Sequence, residues 1–428
     1  MFKTLKKVAV VGSLLTGLVT PLLPEVQAAD KPVEITYWYA FGGNIEKTNL
    51  ALVEEFNNSQ DEVHVTAEFQ GNYADLHAKT QAAFVAKNAP NVTLNEIASM
   101  GIFARGGMTE DLTPFLERDA EEVQVDDFYE ALLGNSYVDE GMYGLPYFRS
   151  TPIFYVNKTL VEKAGLNMDD YEEEWTWDNW KEVVKAVSEK TDALGMSQMV
   201  DIWAYEGLIQ TAGGSMLNED ETKATFNEAP GVKLAETFKE LSDAGHIKIP
   251  TGENGSETVK QDFANQKIAI KVGSTADIRD TTDLSKDQDF EFVTKFFPKL
   301  EKNAVPTGGS NLVMIAGQSE EEKEASWKFM KWMTTKEQTI KGSQGTGYLV
   351  TRKSAAESDE MKKFYKEYPE FQTALKQLEY GKPRPLNSGY AEASTFINEA
   401  FSAILIDGAP IQETLDAAVE TVNGLLTQ

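Results

Sequence analysis

VEITYWYAFGGNIEKTNLALVEEFNNSQDEVHVTAEFQGNYADLHAKTQAAFVAKNAPNVTL, residues 33–94, carries the pattern on which the fold turns. Residues 33–40 are dense in β-branched and aromatic side chains and read as a buried strand. Residues 44–58 then place Leu50, Val53 and Phe56 at helical spacing. Residues 63–69 alternate again, with Val63, Val65, Ala67 and Phe69 on one face. Asn72 is placed to cap a helix running to about Lys87, and a short strand follows at residues 92–94. Two βα units in succession predict a parallel sheet with helices on its faces. Ligands of such sheets sit beyond the carboxyl ends of the strands, so the loops after Trp38, Phe69 and Leu94 are candidate contacts.

Outward from this stretch the alternation continues. LPYFRSTPIFYVNK (145–158) reads as an apolar extended segment, and residues 176–190 as a helix with an acidic first turn. Pro230 and Gly245 frame another helix. KIAIKV (267–272) and FEFVTKFF (290–297) read as strands, while Ser319 and Glu322 have capping-box spacing ahead of Phe329, Met330 and Met333. From Ser354 onward the chain is mostly helical, interrupted at GKPRPLNSGY (381–390). The pattern predicts an α/β protein of two lobes.

Composition excludes several classes of function. The chain has 428 residues, 41% hydrophobic, with 68 acidic against 40 basic side chains and a formal charge of −28. That charge opposes nucleic acid and anionic membranes. There is no cysteine, which removes disulfides, thiol catalysis, cysteine-type metal sites and the thiol that would carry a lipoprotein's lipid. His64, His77 and His246 are too scattered to suggest a metal cage or a triad. Lys3, Lys6 and Lys7 precede an uncharged run over residues 8–23, followed by VQAAD. This is a secretory-signal pattern, with Val26 and Ala28 at the −3 and −1 positions and residues 1–28 removed. An exported protein, periplasmic or secreted, is expected.

Catalytic motifs are missing: no P-loop, GxSxG, HExxH or GxGxxG occurs. Aromatic side chains in or beside loops are the better candidates, namely Trp38, Tyr39, Tyr73, Trp175, Trp177, Trp180, Trp203 and Tyr348. Aromatic rings are usually core. Trp203, flanked by Asp201 and Glu206, is placed to stack on a sugar or polyol. Of six arginines, Arg149 and Arg384 lie in Pro- and Ser-bearing loops, where a guanidinium either clamps an anion or braces backbone carbonyls. Gly273-Ser274-Thr275 follows one strand and Gly308-Gly309-Ser310 precedes another, where glycine allows close approach of backbone N–H groups to a ligand.

The motifs WYAFGG, GNYADLHAKTQAAFVAKNAPNV, LPYFRSTPIFYVNKTLVEKAGL, WTWDNWKEVV, PTGGSNLVMIAG, TGYLVTRKSA and KPRPLNSGYAEAS occur in that order after the export signal. Together they resemble the bacterial extracellular solute-binding proteins of ABC importers, with the nearest likeness to the glycerol-3-phosphate-binding subgroup. The resemblance implies a two-lobed periplasmic-binding-protein fold whose interleaved lobes close on a ligand at a hinge. The expected segments are 29–149 and 294–346 in one lobe and 150–293 and 347–428 in the other, with crossings near 149–155, 293–298 and 345–350. It further implies ligand contacts from Tyr73, Glu96, Ser150, Trp203, Ser274, Gly309, Tyr348 and Arg384, with Val200 where the subgroup has a second tryptophan. No catalytic residue, metal or cofactor is expected. The expected partners are a small polar solute and ABC permease subunits, with the protein itself a monomer. The expected solute is glycerol-3-phosphate or a glycerophosphodiester. A neutral sugar or oligosaccharide is the alternative ligand. A secreted carbohydrate-active enzyme and a non-transport surface protein are the alternatives of other classes.

Overall fold

A computed structural model describes residues 31–252 and 254–427; the expected signal peptide and its cleavage site lie outside them. The strand Val33–Tyr39 pairs in parallel with Val63–Phe69 on one side and with the strand Val92–Glu96 on the other, as the two βα units require. Two later segments complete this first sheet. Gly308–Met314 inserts beside Val92–Glu96, antiparallel to it, and Leu145–Ser150 lies at the far edge. The second sheet has the order Phe292–Lys295, Pro152–Asn157, Ile268–Ser274, Leu194–Ser197, Ile247–Lys248. Among the described residues no helix is long and apolar enough to cross a membrane.

Only Thr151 separates the last strand of the first sheet from Pro152–Asn157 of the second. Ser150 therefore faces Gly308 in one sheet while Pro152 faces Ser274 in the other. The Thr151 carbonyl accepts from Thr275 N at 3.1 Å. Gln377 donates to Thr151 Oγ1 and to the Pro152 carbonyl, and accepts from Phe297 N at 2.8 Å. One buried amide thus ties two passages of chain between the sheets.

Local signals set the helix starts. Asn72, Thr176 and Ser319 each cap their helix and are capped in return, by Asp75, Asn179 and Glu322. Packing overrides the pattern in places. Leu50 is 39% exposed, because Asn49, Leu52, Val53 and Phe56 form the buried face of Gly43–Ser59. Phe69, at the strand end, is 50% exposed. FEFVTKFF forms a strand only over Phe292–Lys295. The Gly308–Gly309 pair is itself part of a strand, where the pairing register shifts between Gly309 and Asn311.

Trp175, Trp177 and Trp180 are not loop contacts. All three are buried in the core of the second sheet, around Phe154, with the indole N–H of Trp175 bound to the Phe296 carbonyl.

Candidate functional site

A cavity of about 430 Å³ opens where the two sheets meet. Tyr73, Glu96, Ser150, Trp203, Ser274, Gly309, Tyr348 and Arg384 all line it. They come from eight separate places in the chain. Tyr73 occupies the first position of the Asn72-capped helix. Glu96 ends its strand and caps the next turn at Ala98 N, 3.1 Å away. Ser274 likewise ends a strand and caps Ala276 N at 3.1 Å. Trp203 is the second residue of the helix Ile202–Thr211, whose cap, Asp201, accepts from its backbone N–H.

Glycine makes the backbone approach possible. A side chain on Gly308 would overlap the Trp203 ring, whose indole N–H binds the Thr307 carbonyl at 3.0 Å. Gly309 has φ +83, and a side chain there would strike the Phe148 carbonyl. Phe41, also on the wall, holds φ 67, an outlier for a bulky residue, and packs edge-on against Tyr73 at 4.7 Å. Tyr348 stacks on Phe148 at 4.8 Å with planes 6° apart. Burial pushes the Tyr73 phenol up to about 12, against the lowering pull of the Ser310 and Tyr348 hydroxyls beside it.

The two loop arginines have different roles. Arg149 is fully buried and bound to neutral acceptors: the Gly308 carbonyl at 3.0 Å, Asn311 Oδ1 at 3.0 Å, Thr307 Oγ1 at 3.3 Å and the Leu132 carbonyl. It is a brace behind the cavity wall, not a ligand clamp. Among the described residues no carboxylate pairs with it, and burial pulls its pKa down to about 9.

Arg384 joins Glu96 Oε1 and Glu206 Oε2, each at 3.2 Å. Burial alone would lower its pKa, but Glu206 and Glu96 raise it far above the ordinary range. Burial raises Glu206 against the pull of Arg384. The backbone of Arg384 is fixed on both sides by the Asn135 amide, at 2.9 and 3.0 Å.

The cavity lining also holds residues absent from the expected set. Lys271 and Lys260 share the Asp277 carboxylate, at 3.5 and 2.7 Å. A signal for Lys271 existed: it is the one charge inside the otherwise apolar run IAIKV, flanked by Ile270 and Val272, both buried. Nothing local marked Asp277 or Lys260 among so many charges. Gln198, Met199 and Val259 line the cavity as well, and Asp201 lies beside Trp203. Val200 packs against the core instead.

Behind Tyr73, the His77 ring is stacked 6.1 Å away. Its Nε2 accepts from Glu96 N at 3.2 Å, so Nδ1 carries the proton and donates to Ser99 Oγ at 3.2 Å. Burial lowers its pKa to about 4. The unfolded chain therefore takes up this proton first, at about pH 6.5, and the native state resists it to about pH 4. Stability assigned to neutral His77 is complete above pH 6.5 and falls by about 3 kcal/mol as pH drops through that window. Urea unfolding from pH 7 to 4 should show a shallower loss for His77→Gln; parallel curves would contradict this.

A family model described as bacterial extracellular solute-binding protein matches residues 51–373. The sn-glycerol-3-phosphate-binding periplasmic protein UgpB of Rhizobium meliloti (strain 1021) is 25% identical over 416 residues, 93% of this chain and 95% of that protein. Two solved structures share the fold. UgpB from Mycobacterium tuberculosis in complex with glycerophosphocholine aligns at TM-score 0.81 and 22% identity, covering 92% of this chain and 98% of that one. The GacH receptor of Streptomyces glaucescens, solved unliganded and with acarbose, aligns at TM-score 0.81 and 20% identity, covering 93% and 99%.

Proposed function

The chain belongs to the bacterial extracellular solute-binding proteins, which deliver small solutes to ABC permeases and are not enzymes, and from that premise we propose that its cleft captures glycerol-3-phosphate or a glycerophosphodiester. The observation that carries this reading is the charge of Arg149, which reaches the cavity as a field through the wall it braces and not by contact with the ligand. A guanidinium buried without a carboxylate partner favours an anion in front of it. What stands in front is the Gly308–Gly309 backbone, with Tyr73, Ser150, Ser274 and Tyr348 around the same cavity. Hydroxyl groups donate readily to phosphate oxygens. At the other end, Glu96 and Asp201 accept from hydroxyls of a glycerol moiety, beside the Trp203 ring. The relatives named for glycerol-3-phosphate point the same way.

A second reading rests on Arg384. Its charge is already met by two carboxylates, so it offers no net positive charge to a ligand. A neutral sugar stacked on Trp203 would be content with that floor.

In either case the working form we propose is an exported monomer that closes about the passages near 149–155, 293–298 and 345–350. Calorimetric titration of the protein with sn-glycerol-3-phosphate, glycerophosphocholine, glycerol and maltose tests the choice. The phosphate reading expects binding of one or both phosphate compounds, with glycerol at least 100-fold weaker. Tight maltose binding without either phosphate compound would overturn it.

A further inference from the structure

Apart from the Arg384 cluster, the cavity lining joins two cations to one anion. Lys271 is only 3% exposed and lies in the strand Ile268–Ser274, among buried apolar neighbours. Its ammonium sits 4.1 Å above the Tyr155 ring and 3.5 Å from Asp277 Oδ2. Lys260 takes the other Asp277 oxygen at 2.7 Å. The ion pair lies directly over Gly273: a side chain there would come within 2.8 Å of Asp277 Oδ2 and 3.4 Å of Lys271 Nζ. Lys260, Lys271, Gly273 and Asp277 all line the cavity. Here two ammoniums share one contacting carboxylate, Asp277, with the Asp280 carboxylate acting on both from farther off, whereas Arg384 is shared by two contacting carboxylates, Glu96 and Glu206. The ratio of cations to contacting carboxylates therefore differs between these two parts of the lining.

A lysine in a buried strand is costly to desolvate. At 3.5 Å its contact with Asp277 is loose, since the carboxylate is held more closely by Lys260. Part of the ammonium's bonding capacity is open to another acceptor, because it has three donors and Asp277 is its one carboxylate partner among the described residues. We propose that Lys271 is a specificity-determining residue that reads the charge of the bound solute, sharing its ammonium between Asp277 and the anionic group of the ligand. This rests on the phosphate reading above and goes beyond it. It orients the solute, anionic group toward the Lys271 wall and hydroxyls toward Glu96, and it makes Asp277 a competitor for the same cation.

That competition gives the test a direction that a structural role would not produce. Calorimetry with sn-glycerol-3-phosphate is run on the unmodified protein, Lys271→Gln, Lys271→Arg and Asp277→Asn, at two salt concentrations. Lys271→Gln should weaken binding at least tenfold and flatten its salt dependence, and Lys271→Arg should restore part of the loss. Asp277→Asn should tighten binding several-fold by freeing the cation. If Asp277→Asn weakens binding as much as Lys271→Gln does, the pair is only structural and the proposal fails. Equal affinity in all four proteins overturns it as well, while leaving the phosphate reading intact. No binding by the unmodified protein overturns both.

Discussion

Arg384→Ala should lower the unfolding free energy by about 3–5 kcal/mol at pH 7, the usual cost of removing one partner from a buried ion pair. The guanidinium lies between Glu96 and Glu206, and the Glu206 side chain is almost fully buried. Alanine strands both carboxylates. Glu206, already raised by burial, loses the opposing pull of Arg384, so its folded pKa moves further above the unfolded value. A carboxyl group raised on folding destabilises as pH climbs from the unfolded pKa through the folded one. The deficit should therefore shrink as pH falls toward 4.5. Glu206→Gln in the same chain should recover part of it at pH 7. Urea midpoints for the three proteins at pH 7 and pH 5 check this, and a loss independent of both pH and Glu206→Gln would show that packing, not charge, is what Arg384 supplies. Ligand affinity should fall with stability, because Glu96 reaches the cavity from the same ion-paired cluster.

Arg149→Met should be as severe, by about 3–5 kcal/mol, for a different reason. Four buried acceptors lose their donor at once, and each unsatisfied group costs about 1–3 kcal/mol before relaxation. The acceptors lie on three segments: Leu132, Thr307–Gly308 and Asn311. Gly308 in turn supports the Trp203 ring, so the damage should reach the cavity. Arg149→Lys keeps the charge but cannot span the fork, and should recover less than half of the loss. Thermal unfolding and ligand titration of both variants measure the effect. Full stability in Arg149→Lys would mean that the charge alone matters.

These two arginines show how far the sequence reaches. Both were visible as guanidiniums in Pro- and Ser-bearing loops, and both readings of such a residue, clamp and brace, were open. Arg149 is the brace. Arg384 is ion-paired to residues 178 and 288 positions away, which no local window contains. The same holds for the tryptophans. Trp203 lies on the cavity, whereas Trp175, Trp177 and Trp180, in a similar local setting, fill the core. Lys271 was legible only as an oddity inside an apolar strand, because the Asp277 and Tyr155 that hold it are placed by the fold.

What the sequence determined by itself was the local grammar and the family order. The alternation over residues 33–39 and 63–69 and the caps at Asn72, Thr176 and Ser319 are dictated by contacts within a few residues, whereas the need for glycine at 308 and 309 comes from Trp203 and Phe148, more than a hundred positions away. The local terms are set by backbone sterics and by hydrogen bonds three residues apart, so they survive without knowledge of the rest. The co-linear motifs brought Tyr73, Glu96, Ser150, Trp203, Ser274, Gly309, Tyr348 and Arg384 to attention, and the fold gathers all eight around one cavity. Only tertiary structure decided the insertion of Gly308–Met314 between two strands of the first sheet, the single-residue passage at Thr151, and which charges are compensated. Charge compensation in a buried site depends on distance and desolvation, and both are properties of the packed chain rather than of residue order.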